Sequence, residues 1–159
     1  MQRTLLLTAL LAALTVPVGL AADTGDGTLS VKRGRGLVLL KLKGTVIGRV
    51  KSGRVQVKDF RPLDANDPII TGCKVRRIGA GISLCKGRNL GVRVDDGRFN
   101  VTVQGSGISI SAVGRGPVAI DGAGETGGAD GVLSVDDGPY ASLPDEPTTL
   151  TLGAAPTGR

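Results

Sequence analysis

Residues 96–122 read DGRFNVTVQGSGISISAVGRGPVAIDG, and the reading of this stretch decides the fold. It opens on Asp96-Gly97, after which Phe99, Val101 and Val103 alternate strictly with Asn100, Thr102 and Gln104. The alternation resumes at Ile108 and Ile110 beyond Gly105 and Gly107, passes Gly114 and Gly116, and closes on Asp121-Gly122. A period of two bounded by glycines predicts antiparallel strands joined by turns. No charge falls between Phe99 and Val113, so these strands are expected to lie centrally, with both faces at least partly covered.

The same grammar extends outward. Residues 28–32, 37–43 (LVLLKLK), 45–50 and 54–58 read as strands separated by Arg33-Gly34-Arg35-Gly36 and by Gly53. Residues 62–68 (PLDANDP) are a loop on turn chemistry alone. Residues 69–77 and 82–86 form a hairpin about Gly79-Ala80-Gly81, followed by strands at 89–95, 132–135 and 148–152, with 125–129 and 139–147 as loops. The string Asp26-Gly27-Thr28-Leu29-Ser30-Val31 returns as Asp130-Gly131-Val132-Leu133-Ser134-Val135 and, loosely, at 96–101, which suggests repeated hairpin units. The Asp-Gly pairs at 26, 96, 121, 130 and 137 favour tight hairpins.

These observations predict an all-β protein with one antiparallel β-sandwich-like domain over residues 26–152, a short β-solenoid or barrel being the alternative. The expected core is Val38, Leu40, Leu42, Val55, Val57, Val92, Val94, Phe99, Val101, Val103, Ile108 and Ile110. At the N-terminus, Arg3, the apolar run 5–16, Pro17 and the small residues up to Ala22 have the plan of a cleaved signal peptide over 1–22. The run is too short for a membrane span, no later stretch is more apolar, and 153–159 reads as a flexible tail. Residues 143–147 (LPDEP) lack the threonine and glycine of a wall-sorting motif.

Composition limits the chemistry. The 159 residues include 26 glycines but no histidine and no tryptophan, which removes most nucleophilic triads and the common zinc sites. Ser106 lies between glycines without the strand-to-helix setting of a nucleophile. Asp95-Asp96 and Asp136-Asp137 are carboxylate pairs at expected turns, without the aromatic platforms usual for sugars. The Gly-x-Gly strings precede no helix and so are not phosphate loops, and Asn100-Val101-Thr102 matches a glycosylation sequon inside a strand. Asp64, Asn66 and Asp67 lack the loop pattern of a calcium hand. No catalytic residue, metal site or cofactor is therefore expected, and the protein reads as not an enzyme. Export would place Cys73 and Cys85, the two cysteines, in an oxidising compartment, six residues either side of Gly79, and a disulfide between them is expected.

Residues 27–31 (GTLSV), 44–49 (GTVIGR), 53–55 (GRV) and 107–116 (GISISAVGRG) resemble small exported glycine- and valine-rich proteins of high-GC Gram-positive bacteria. That group has no established activity, so the resemblance implies an exported all-β domain and carries no functional residues over.

Charge is unevenly spread. Residues 23–94 hold sixteen Lys and Arg against five Asp, whereas 95–159 hold three Arg against nine acids. The two halves either neutralise each other side by side or leave the first free for an anionic partner. Lys41, Lys43, Arg54, Lys58, Lys74, Arg76 and Arg93 alternate with the expected core residues, so several should share an outer sheet face. The plain reading is a solvated face guarding sheet edges. The sharper one is retention on an anionic cell-envelope polymer or lipid headgroup by a non-catalytic structural or binding module. An interaction subunit pairing with another exported protein is the alternative. Nucleic acid is not an expected partner, because single-strand recognition leans on stacking and aromatics are 2% of the chain.

Overall fold

The computed structural model describes residues 25–124 and 130–153. The expected signal peptide, the loop 125–129 and all but the first residue of the expected tail lie outside these. Among the described residues seven strands occur in the order β1 (Gly27–Asp59), β2 (Ile69–Thr71), β3 (Arg76–Arg77), β4 (Ile82–Gly122), β5 (Val132–Val135), β6 (Ala141–Ser142) and β7 (Thr148–Leu152). They form one antiparallel sheet with path β2-β4-β1-β5-β6, β3 and β7 pairing with β4 off that path. The sheet is not closed into a barrel, and the domain is sandwich-like.

The glycines taken from the sequence as hairpin turns mostly are not. Gly34, Gly36, Gly53, Gly97, Gly105 and Gly114 all lie within the two long strands. Each long strand bends at them, and its middle residues pair on both sides. Leu40 faces Val101 and Val118; Val101 faces Leu40 and Val57; Ile108 faces Gly34 and Val50. Gly36 pairs with Gly105 and with Gly122, and Gly44 with Gly97 and with Gly114. The two partners are seventeen residues apart in each case but that of Ile108, where they are sixteen apart, so the β1–β4 ribbon coils on itself with about that repeat.

Pairing sorts the bends into two layers. One runs, in spatial order, through residues 82–87, 53–59, 97–105, 36–43 and 114–122 to β7. The other runs from β2 through 88–94, 44–52, 105–114 and 27–35 to β5 and β6. Inward side chains of both layers form one cluster, in which all twelve expected core residues are buried. Leu29, Val31, Val46, Val50, Leu90, Ala112, Val118, Ile120, Leu143 and Leu152 join them. Each apolar side chain contributes roughly 1.5–3 kcal/mol on burial, which lets a core with almost no aromatic residues suffice. The uncharged stretch lies centrally, with its outer face partly covered at the half-buried Asn100 and Thr102 and open beyond them. Its outer residues Gln104, Ser109, Ser111 and Val113 are exposed, so its neutrality reflects hydroxyl and amide side chains on a wet face.

The corner at Gly53 and Gly105 shows why glycine is needed. Val50 faces Ile108 and Val55 faces Val103, all four buried. Between them neither strand points a side chain inward, as the ribbon passes from one layer to the other. Gly53 (φ 154°) and Gly105 (φ 149°) are paired there. A Cβ on Gly53 would collide with the Gln104 carbonyl oxygen, and one on Gly105 with that of Ser52. Each would also lie 2.8 Å from the partner's Cα. Gly44 and Gly114 repeat the arrangement against the carbonyls of Val113 and Lys43.

The hairpin about residues 79–81 is present, with Arg76 opposite Leu84 and Arg77 opposite Ser83. Its ladder is centred on Ala80, one residue beyond the centre read from the sequence. Cys73 lies in the bend between β2 and β3, where it is bonded to the buried Cys85 across a Cα–Cα distance of 6.0 Å. A crosslink closing a loop of this size contributes about 3 kcal/mol in the chain-entropy account. The repeated strings at 26–31 and 130–135 prove to be neighbours: Leu29 faces Val135, Ser30 faces Ser134 and Val31 faces Leu133.

Replacing Gly105 by alanine sets a side chain against backbone, with no flexible neighbour to yield. Denaturant titration of Gly105→Ala is expected to show a loss of at least ~3 kcal/mol. Ser109→Ala serves as the control, since Ser109 is an exposed, outward position of the same strand. Equal stability of the two variants would contradict the corner.

Candidate anion-binding face

Directly opposed residues of an antiparallel ladder share one face, so pairing assigns each basic residue. In the first layer Arg54 stands between Lys86 and Gln104, and Lys58 and Lys41 flank Asn100 on opposite sides. Lys43 stands between Arg98 and Arg115. Arg76 faces Leu84, which faces Gln56 in the same outer rows. Of the seven residues singled out in the sequence, Lys41, Lys43, Arg54, Lys58 and Arg76 therefore share one outer face. Arg93 does not: it belongs to the other layer, between Ile47 and Ile69, with its Nε 2.8 Å from Asp95. Lys74 lies in the exposed bend between β2 and β3, outside any ladder.

Three residues of this face were missed. Lys86, Arg98 and Arg115 alternate with the buried Cys85, Phe99 and Gly114, and that alternation was the available signal. Arg115 is tied to Asp26 at 2.7 Å. Among the described residues, none of Lys41, Lys43, Arg54, Lys58, Lys86 and Arg98 has an acidic partner within salt-bridge distance. Lys43 opposite Arg98 and Arg54 opposite Lys86 place like charges side by side, which weakens a sheet by roughly 0.2–1 kcal/mol per pair. Phe60 moderates this, its half-exposed ring lying 5.0 Å from the Lys58 ammonium and 5.3 Å from the Arg98 guanidinium. Where the ribbon turns at Gly53 and Gly105, an open groove of about 630 Å³ carries Arg54, Lys86 and Arg88 on its rim.

Acidic residues gather at the opposite edge. Residues 69–93, which include β2, β3 and the start of β4, hold six Lys and Arg and no acid. Residues 130–153, which include β5, β6 and β7, hold five acids and no base. Asp136 and Asp137 are occupied in holding the turn after β5, their carboxylates accepting bonds from the Thr28 amide (2.9 Å) and hydroxyl (3.3 Å). The two halves of the chain are thus interleaved in the sheet without their charges cancelling on the basic face.

Carboxylates also meet at the end of β1. Oxygens of Asp59, Asp64 and Asp67 lie within 4.8 Å of one another. Burial, opposed by the Arg61 amide and reinforced by the charges of Asp64 and Asp67, holds the Asp59 carboxyl above its usual pKa. Asn66 is not part of this group, giving its side-chain amide to the Asp96 carbonyl at 3.3 Å.

At the acidic edge Tyr140 reports local electrostatics. Its hydroxyl is 3.0 Å from the Ser30 hydroxyl, and the Lys32 ammonium lies 4.1 Å from its ring centroid. Lys32 first and Ser30 second favour the phenolate and hold its pKa below the ordinary tyrosine value. Tyr140 is the single tyrosine and there is no tryptophan, so ultraviolet titration reads it alone. The inflection is expected below about 10 and should rise toward that value in Lys32→Gln. A wild-type inflection at or above the ordinary value would contradict the contact.

Comparison of the chain with family models, curated proteins and solved structures found no match, so the reading of this face rests on its own geometry.

Proposed function

We propose that the protein is a non-catalytic exported module of the cell envelope, held on an anionic polymer by the outer face of its first layer. The observation that carries this reading is the set Lys41, Lys43, Arg54, Lys58, Lys86 and Arg98, gathered on one face without acidic partners among the described residues. A face that only solubilises gains nothing from like charges directly opposed, whereas a polyanion laid across the rows neutralises them together. The groove rim adds Arg88 to Arg54 and Lys86. Rows of ammonium and guanidinium groups a strand apart suit phosphate or carboxylate repeats, and no deep enclosed pocket is needed to hold a chain.

Such binding is electrostatic and therefore salt-dependent, since exposed charges are screened over about 8 Å at physiological ionic strength. Co-sedimentation of the purified protein with isolated bacterial cell walls is expected to fall steeply across a salt series. With roughly 1 kcal/mol per basic residue near an anionic surface, the variant carrying Lys41→Gln, Lys43→Gln, Arg54→Gln and Lys58→Gln should bind about 1000-fold more weakly at low salt. Retention indifferent to both salt and substitution would remove the basic face from the function.

A further inference from the structure

We infer that Asp59, Asp64 and Asp67 form a divalent-cation site, with calcium the ion that fits. Asp59 closes β1, and its backbone amide donates to the Gly81 carbonyl at 2.7 Å, which sets the end of the strand against the tip of the 79–81 hairpin. The loop that follows turns back over it. Each carboxylate has one oxygen fixed by a backbone amide: Asp59 by Arg61 (2.7 Å), Asp64 by Asn66 (2.8 Å) and Asp67 by Leu63 (2.8 Å). One oxygen per residue is left over. For Asp59, which is 6% exposed, that oxygen is Oδ2, fully buried and without a hydrogen-bond partner.

A buried carboxylate oxygen with no donor is costly unless it is protonated or coordinates a metal. Here two further carboxylates gather at Asp59, one oxygen of each residue lying within 4.8 Å of the others, and among the described residues no Lys or Arg forms a salt bridge to any of the three. Two oxygens bound to one calcium at 2.3–2.6 Å lie up to about 5 Å apart, so the spacing suits one shared ion. The donors are hard oxygens, with no histidine in the chain and both cysteines in the disulfide, which disfavours the softer transition metals. Two of the three ligands come from an irregular loop, a setting that calcium, with its variable coordination, accepts more readily than magnesium. The ion would tie the 60–68 loop to the end of β1. None of its ligands belongs to the basic face, although Asp59 and Asp64 line one hollow with Lys43 and Arg98.

Thermal unfolding of the purified chelator-treated protein tests this with calcium chloride as the probe. Calcium at about 10 mM, above the range expected of extracellular sites, should raise the midpoint by roughly 5 °C over sodium chloride of equal ionic strength. Magnesium should do less. The double variant Asp64→Asn, Asp67→Asn, altered only at exposed loop positions, should fold and lose the calcium response. Asp59→Asn should also lose it, while melting higher than wild type in chelator because an uncompensated buried charge is gone. Absence of a calcium effect on the wild type overturns the site, as does a response that survives in the double variant. The quadruple glutamine variant of the basic face keeps all three ligands and should still respond to calcium, so failure of the polymer-binding reading and failure of this one are distinguishable.

Discussion

Everything in this structure depends on how closely two strands approach at Gly53 and Gly105. A long antiparallel ribbon twists but does not ordinarily fold back on itself within eight or nine residues. Here it does, because at the Gly53–Gly105 and Gly44–Gly114 corners two glycines meet where any side chain would strike a carbonyl oxygen of the facing strand. The bend moves the ribbon from one layer to the other, and the next bend returns it. The coil then supplies its own neighbours: β1 contacts β4 on both sides, and the core is what the coil encloses. Valine and isoleucine suffice in such a core because the layers are brought together by the backbone path and need no large rings to bridge them.

The coil also distributes charge. Successive bends of β1 return Arg54 and Lys58 to the layer that holds Lys41 and Lys43, with a bend of β4 between them. Residues far apart in sequence thereby become rows on one face, and Lys86 and Arg98 complete the rows. At the other edge Asp136 and Asp137, in the turn after β5, are engaged with Thr28. The face is a product of the ribbon's repeat and not of any local cluster in the chain.

The fold class and core were legible because period-two alternation depends only on which side of a strand each residue occupies. That holds whether a glycine marks a hairpin or a corner, so Val101 and Ile108 were placed correctly while the glycines between them were misread. Alternation changes phase across Gln104 to Gly107 in either case, and the Asp-Gly pair at 96–97 has the composition of a hairpin. What separates the two is the partner strand, which lies far along the chain, as Leu40 and Val57 do from Val101, and which local pattern cannot reveal. The same limit governed the sites. Arg93 alternates as Lys41 does, yet falls in the other layer. The cysteine pair was legible, but its hairpin proved to be centred on Ala80. Asp64 and Asp67 stood in plain view in their loop, while Asp59, written as the end of a strand, joins them only when the loop closes over it.

The most direct test of the coiled ribbon is the pattern of backbone nuclear Overhauser contacts around Val101 and Ile108. Double pairing predicts cross-strand contacts from Val101 to both Leu40 and Val57, and from Ile108 to Gly34 and Val50. Contacts linking residues 99–104 directly to residues 106–111 as facing strands about Gly105 would restore the hairpin and contradict the account.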